Sequence, residues 1–356
     1  MRKQTNGKMK KIKYILGCIG TALMFSACSD FLDVATQNGL DPDQANDAER
    51  FCNAAYASLM NQRDVKLWAW GDVRSDDAYK GGGGTNDGYT EHCYETGTHI
   101  VTTFNEPDGY WFAQYCGISR VNTALNALNL VSEKEFPNKV TRQAEMRFLR
   151  GHFYFLLKIL FKNIPFVDET VPEHQYQYIS NVALTDVEMW DKIIEDFKFA
   201  FDNLPEKQAD LGRANKYAAA AYLAKANLYK AYRQNEKYEV TSIDAGDLEE
   251  VVKYTGEVLK SSYGLETDFA YNFMPEFENG KDSIFAIQFS KDDGTMFGNL
   301  NFADFLSVPQ GLGCCDFHKP SQNLVNAFKT SKGLPMFKMT NGVYSENYDI
   351  ANYSKS

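Results

Sequence analysis

Apolar residues recur every three or four positions over most of the stretch from 47 to 260, and that spacing confines this chain to helices. Phe51, Ala54, Ala55 and Leu59 begin the pattern. It returns over 110–130 and over 141–161, where Ala144, Phe148, Phe155, Leu156 and Ile159 line one broad face before Asn163-Ile164-Pro165 ends the run. Thr185 with Glu188 three residues on predicts a capping box opening a helix that closes near Leu204-Pro205. A small-residue stripe, Ala219, Ala220, Leu223, Ala224 and Ala226, marks a helix over 216–233, and 246–260 completes another. Only 282–290 reads as a strand. The fold class is mainly α.

The pair 216–237 and 248–263 has tetratricopeptide-like character: an alanine-rich helix, a tight connection, then a second helix. One such pair cannot bury its own apolar face, so the segments must stack on neighbours. The long stretch 71–110 breaks the helical pattern with Gly81-Gly82-Gly83-Gly84 and many polar residues, and reads as an irregular excursion. Excursions of that length in a compact body carry function.

The N-terminus specifies an address. Arg2, Lys3, Lys8, Lys10, Lys11 and Lys13 precede an apolar run over 14–25, and Ser26-Ala27 lead into Cys28. The run is too short to span a hydrocarbon core of ~30 Å. The order describes a secretory leader, residues 1–27, and the cysteine at its end predicts a bacterial lipoprotein lipidated on Cys28. Residues 28–46 are then a polar tether, and 47–356 the folded body. Six basic side chains leave with the leader, so the formal charge falls from −10 to −16. A body that acidic argues against nucleic acid and against electrostatic attachment to anionic lipid. The remaining cysteines, Cys52, Cys93, Cys116, Cys314 and Cys315, are odd in number and show no zinc spacing, which predicts mostly free thiols and no metal or cofactor.

Aromatic residues are abundant, with 25 Phe, 21 Tyr and 4 Trp, and the tyrosine excess suits a wet binding surface. A polar-ligand face combines flat aromatic rings with hydrogen-bonding Asn, Asp, Arg and Gln. The excursion supplies Trp68, Asp76, Asp77, Tyr79, Asn86, Tyr89 and Tyr94; a second face over 292–305 supplies Phe297 and Asn299. Trp70, Asp72 and Arg74 read as framework, with Asp72 and Arg74 as an ion pair. The glycine run fails as a phosphate cradle, because no Lys-Ser/Thr follows and no strand–turn–helix frames it. Glu145, Arg147 and Arg150 read as structural charges, and His152 as a core histidine. Asp76-Asp77 could be mistaken for a hydrolytic pair, but adjacent carboxylates point apart, and no nucleophile motif occurs.

Several segments in order resemble one family, the SusD/RagB-like outer-membrane lipoproteins of Bacteroidetes. They are Cys28 with Ser29-Asp30-Phe31-Leu32-Asp33; Gly71-Asp72-Val73-Arg74-Ser75-Asp76-Asp77; Trp111 with Tyr115, Arg120 and Asn122; and Glu145-Met146-Arg147-Phe148-Leu149-Arg150-Gly151-His152. Further on come Ile164-Pro165-Phe166, Gly212-Arg213-Ala214-Asn215-Lys216-Tyr217, Ile284-Phe285-Ala286-Ile287 and Pro320-Ser321-Gln322-Asn323-Leu324. The resemblance implies tetratricopeptide-like helix pairs with an irregular ligand face, and a glycan as the ligand of that face. It also implies non-catalytic capture of an oligo- or polysaccharide at the outer membrane, as the lid of a SusC-like TonB-dependent β-barrel transporter. Peptide capture is the alternative within the family; a glycoside hydrolase or a helical scaffold for protein partners is the alternative outside it. Family members are usually longer, so the resemblance implies a shortened member.

Overall fold

The structure is a computed structural model that describes residues 48–59, 68–98, 106–289 and 316–328, together with the backbone of four two-residue strands between 330 and 344. Ala48–Ser356 form one compact unit. Its frame is a succession of helices: α1 (Ala48–Ala57), α2 (Tyr89–Thr96), α3 (Glu106–Leu130), α4 (Lys139–Phe161), α5 (Asp186–Asn203), α6 (Lys216–Ala231), α7 (Ala245–Leu259) and α8 (Gln322–Phe328). α1 packs on α3, and from α3 to α7 each helix packs on the next, as stacked helix pairs require. Among the described residues no helix is long and apolar enough to cross a membrane.

The predicted periodicity builds this stack. Ala144, Phe148 and Phe155 of α4 are fully buried with Ile193 and Phe197 of α5, and the stripe Ala218, Ala219, Ala220, Leu223, Ala224 and Ala226 buries one side of α6. The capping box at α5 forms as read: the Glu188 amide donates to Thr185 Oγ1 at 3.3 Å, and the Thr185 amide donates to Glu188 Oε2 at 2.8 Å. Burying the phenylalanine, leucine and isoleucine side chains contributes roughly 1.5–3 kcal/mol each, and each alanine methyl less than about 1 kcal/mol.

Charges between the helices are structural, as expected. Arg150 and Asp196 are both buried, with Arg150 Nε and Nη2 donating to the two Asp196 oxygens at 2.7 and 2.8 Å. Arg147 Nε adds 2.7 Å to Asp196 Oδ1, and Arg150 also reaches Glu169 and Asn122. A second network centres on buried Glu145, held by Arg142 and Arg213. His152 is half-buried on α4, 2.6 Å from the Tyr222 hydroxyl of α6. Burial, with Lys225 nearby, pushes its imidazole down to about 4.

Two expectations change. The helix over 216–233 ends at Ala231; β2 (Tyr232–Gln234) then pairs antiparallel with β3 (Val240–Ile243), so a hairpin joins α6 to α7. Residues 283–289 make no strand. They are irregular, with bends at Ile284 and Phe285; Ile284, Phe285 and Ile287 pack on the core, and Asn215 Nδ2 donates to the Ile284 carbonyl at 2.9 Å. Alternating apolar residues there meet helices instead of a neighbouring strand. The tyrosines divide: Tyr79, Tyr178, Tyr229, Tyr232 and Tyr238 are exposed, whereas Tyr110, Tyr154 and Tyr254 are buried. Tyr154 Oη donates to the Val167 carbonyl at 2.8 Å and accepts its amide at 2.6 Å, while Tyr115 donates to the Pro165 carbonyl at 2.7 Å.

Candidate functional site

The excursion after α1 is more ordered than its composition suggests. A π-helical turn (Ala69–Val73) leads to β1 (Ala78–Gly81), a glycine loop and α2. β1 pairs antiparallel with β4 (Phe317–Pro320), Ala78 opposite Pro320 and Gly81 opposite Phe317. Ser321 extends the join: its amide donates to the Asp77 carbonyl at 2.9 Å and its hydroxyl to the Asp76 carbonyl at 2.5 Å. A small lobe results, sewn from two distant parts of the chain.

Its edge carries four of the sequence candidates. Asp76 and Asp77 just before β1, Tyr79 on it and Asn86 in the loop after it are all exposed, Tyr79 at 48%. Strand alternation puts Tyr79 outward between buried Ala78 and Lys80. Asp77 Oδ2 accepts the Ser75 hydroxyl at 3.0 Å, which fixes one carboxylate, and Asp76 sits at φ 64°. An exposed tyrosine ring can stack on a sugar face, and exposed carboxylates and an amide on the same segment can accept from or donate to its hydroxyls.

Trp68 and Tyr89 lie elsewhere in the lobe. The Trp68 ring is half-buried and stacked on His318, centroids 4.9 Å apart, with Phe317 at 6.2 Å. Tyr89 begins α2 half-buried, and its bond to the Cys93 thiol holds its phenol above the usual range. Phe297 and Asn299 lie outside the described residues, as does Cys28. Asp72 does not pair with Arg74: its Oδ2 is 2.6 Å from His318 Nε2, and the Arg74 guanidinium lies over the Trp70 ring at 5.8 Å. Cys52, Cys93 and Cys116 are free thiols; Cys314 and Cys315 lie outside the described residues.

The glycine loop bears out the rejection of a phosphate cradle in an unforeseen way. Phosphate cradles aim amide N–H groups inward. Here the carbonyls of Gly81, Gly84 and Asp87 turn inward onto the Lys80 ammonium. Sequence reasoning missed Lys80, since nothing in a one-dimensional pattern marks a lysine as buried. Among the described residues no group of His, Cys, Asp and Glu is placed to hold a metal ion.

Stacked helix pairs carrying an exposed polar and aromatic edge define a helical-repeat protein with a surface lobe. The family model for SusD-like proteins, described as starch-binding associating with outer membrane, matches residues 30–228, and the chain belongs to that family. A SusD-like protein of Bacteroides ovatus is 26% identical over 329 residues, covering 88% of this chain and 57% of that protein. Surface glycan-binding protein A from Bacteroides fluxus shares the fold with a TM-score of 0.62 at 21% identity, over 79% of this chain and 61% of that one. The protein of the same name from Bacteroides thetaiotaomicron, solved with laminarihexaose, has a TM-score of 0.55 at 21% identity, over 68% of this chain and 49% of that one. The chain spans about half the length of the curated relatives it matches.

Proposed function

We propose that this chain is a non-catalytic glycan-capture protein, anchored at the outer membrane by lipid on Cys28 and acting as the lid of a SusC-like TonB-dependent β-barrel. The observation that carries the reading is the exposed edge of Asp76, Asp77, Tyr79 and Asn86, backed by a paired strand. Aromatic rings with few rotatable bonds give contact area at low entropic cost, and neighbouring carboxylates accept sugar hydroxyls. The laminarihexaose bound by a relative of the same fold supports a β-glucan as the first ligand to try. Capture rather than hydrolysis suits the site, because cleavage needs two carboxyl groups flanking one bond. Asp76 and Asp77 are neighbours on an open edge, with Asp77 tied to Ser75.

Calorimetry of the purified body against laminarihexaose, a polysaccharide panel and a peptide library tests this. Binding to a glycan that weakens about tenfold in Tyr79→Ala, with no new reducing ends, is the expected result. Release of reducing sugar would make the protein a hydrolase, and binding to peptides alone would move it to the peptide-capturing branch. Co-purification of a large β-barrel separates a transporter lid from a free-standing scaffold.

A further inference from the structure

Lys80 sits where a lysine is costly. It lies on β1, only 4% exposed, between outward Tyr79 and the glycine loop. A buried cation is tolerated only when its donors are satisfied. An ammonium has three N–H donors and no acceptor. Each finds one carbonyl: Gly81 at 2.8 Å, Gly84 at 2.9 Å and Asp87 at 2.7 Å. The Phe317 ring lies below, its centroid 5.6 Å from Nζ.

The loop is built around that charge. Asp87 gives the ammonium its main-chain oxygen, while its side-chain Oδ2 accepts the Gly83 amide at 2.7 Å. The Gly84 carbonyl accepts the Asp87 amide at 3.1 Å as well as Lys80. The Gly82 amide donates to the Asp316 carbonyl at 3.1 Å, tying the loop to the residue before β4. Three carbonyl dipoles pointing at one spot repel one another unless a cation occupies it. Oxygens converging in this way resemble a metal site, with the cation covalently carried by the chain. Four successive glycines would otherwise keep many conformations, at roughly 1–2 kcal/mol of ordering entropy per residue.

We infer that Lys80 is a positioning residue whose ammonium sets the conformation of the loop 81–88 and so fixes where Tyr79 and Asn86 stand relative to each other. For ligand capture this rests on the reading of that edge as the glycan face.

Hydrogen exchange and affinity for laminarihexaose, or for whichever polysaccharide of the panel binds wild type, measured on wild type, Lys80→Ala and Lys80→Met, test it. In Lys80→Ala the amides of Gly82, Gly83 and Asp87 should exchange at least tenfold faster, and glycan affinity should fall about tenfold, while the helices melt as in wild type. Adding n-propylammonium should restore both; n-propanol, equally bulky and uncharged, should restore neither. Lys80→Met keeps the stem and removes the charge, so it should open the loop without emptying the space if Lys80→Ala fails to fold. Unchanged exchange in both variants, or rescue by propanol as good as by the ammonium, overturns the inference. Affinity unaffected in an open-loop variant, when Tyr79→Ala does weaken binding, overturns the positioning role. If instead Tyr79→Ala leaves affinity intact, the glycan reading of this edge fails, and the exchange data alone still decide whether Lys80 orders the loop.

Discussion

His318 Nε2 lies 2.6 Å from Asp72 Oδ2, across 246 positions of sequence. The pair sits beside the β1–β4 ladder and under the Trp68 ring, so the candidate edge depends on residues from opposite ends of the described body.

That join is tight enough to be broken by one methyl group. Gly81 has φ +75°, and a Cβ there would stand 2.0 Å from the Asp316 carbonyl oxygen. Gly81→Ala should disrupt the β1–β4 pairing at a local cost of roughly 1–3 kcal/mol, read as faster proteolysis within 76–98 with the helical melt unchanged. Gly83, whose Cβ would meet only Asp87 Oδ2 at 3.3 Å, is the control. If Gly83→Ala is as damaging as Gly81→Ala, close backbone approach is not the cause.

In the helical body, Asp196→Ala leaves Arg150 buried without its bidentate partner. Removing one member of a buried pair costs about 3–5 kcal/mol, to be measured as a fall in the urea midpoint. The pair Lys198–Asp202 is exposed on both sides, so Lys198→Ala should change stability by no more than about 1 kcal/mol. Equal effects from the two variants would contradict the assigned burial.

His152 makes acid stability measurable. Its folded-state value of about 4 is below the ordinary 6.5, so the unfolded chain binds the extra proton first. The neutral buried form is fully favourable above pH 6.5, and stability drains as pH falls from 6.5 toward 4, by about 3 kcal/mol in all. Urea unfolding at pH 7 and pH 4.5 should show this loss in wild type and a flatter dependence in His152→Gln. A parallel fall in both proteins would assign the acid sensitivity to other groups.

Cys28 is testable in cells without reference to the body's structure. Cys28→Ala should move the protein from the membrane to the soluble fraction and abolish labelling by a lipid precursor. Retention in the outer membrane at the wild-type level would require another anchor.

The helical frame was legible because its evidence is local. Phe148, Phe155 and the alanine stripe of α6 repeat at helical spacing, and Thr185 with Glu188 spell a cap in four residues. The misreadings came where local pattern meets a distant partner. Residues 283–289 alternate like a strand, yet their apolar side chains lie across helices. Asp72 looked paired with Arg74, two residues away, and is bound to His318. Which tyrosines stay at the surface is also decided at a distance: Tyr115 and Tyr154 spend their hydroxyls on the backbone at 165–167, while Tyr79 and Tyr178 are exposed. Of the candidate residues, Tyr79 faces outward as β alternation would have it, whereas Trp68 is claimed by His318.

By itself, then, the sequence determined the stacked helices and the family. The helices are encoded in residues a few positions apart, where periodicity and capping act directly, and the family in the order of short segments along the chain. Only the tertiary structure decided the lobe: which strand pairs with β1, what holds the glycine loop, and which aromatic side chains remain free. Those outcomes depend on contacts between residues some 240 positions apart and on the burial of one ammonium, and no local propensity records either.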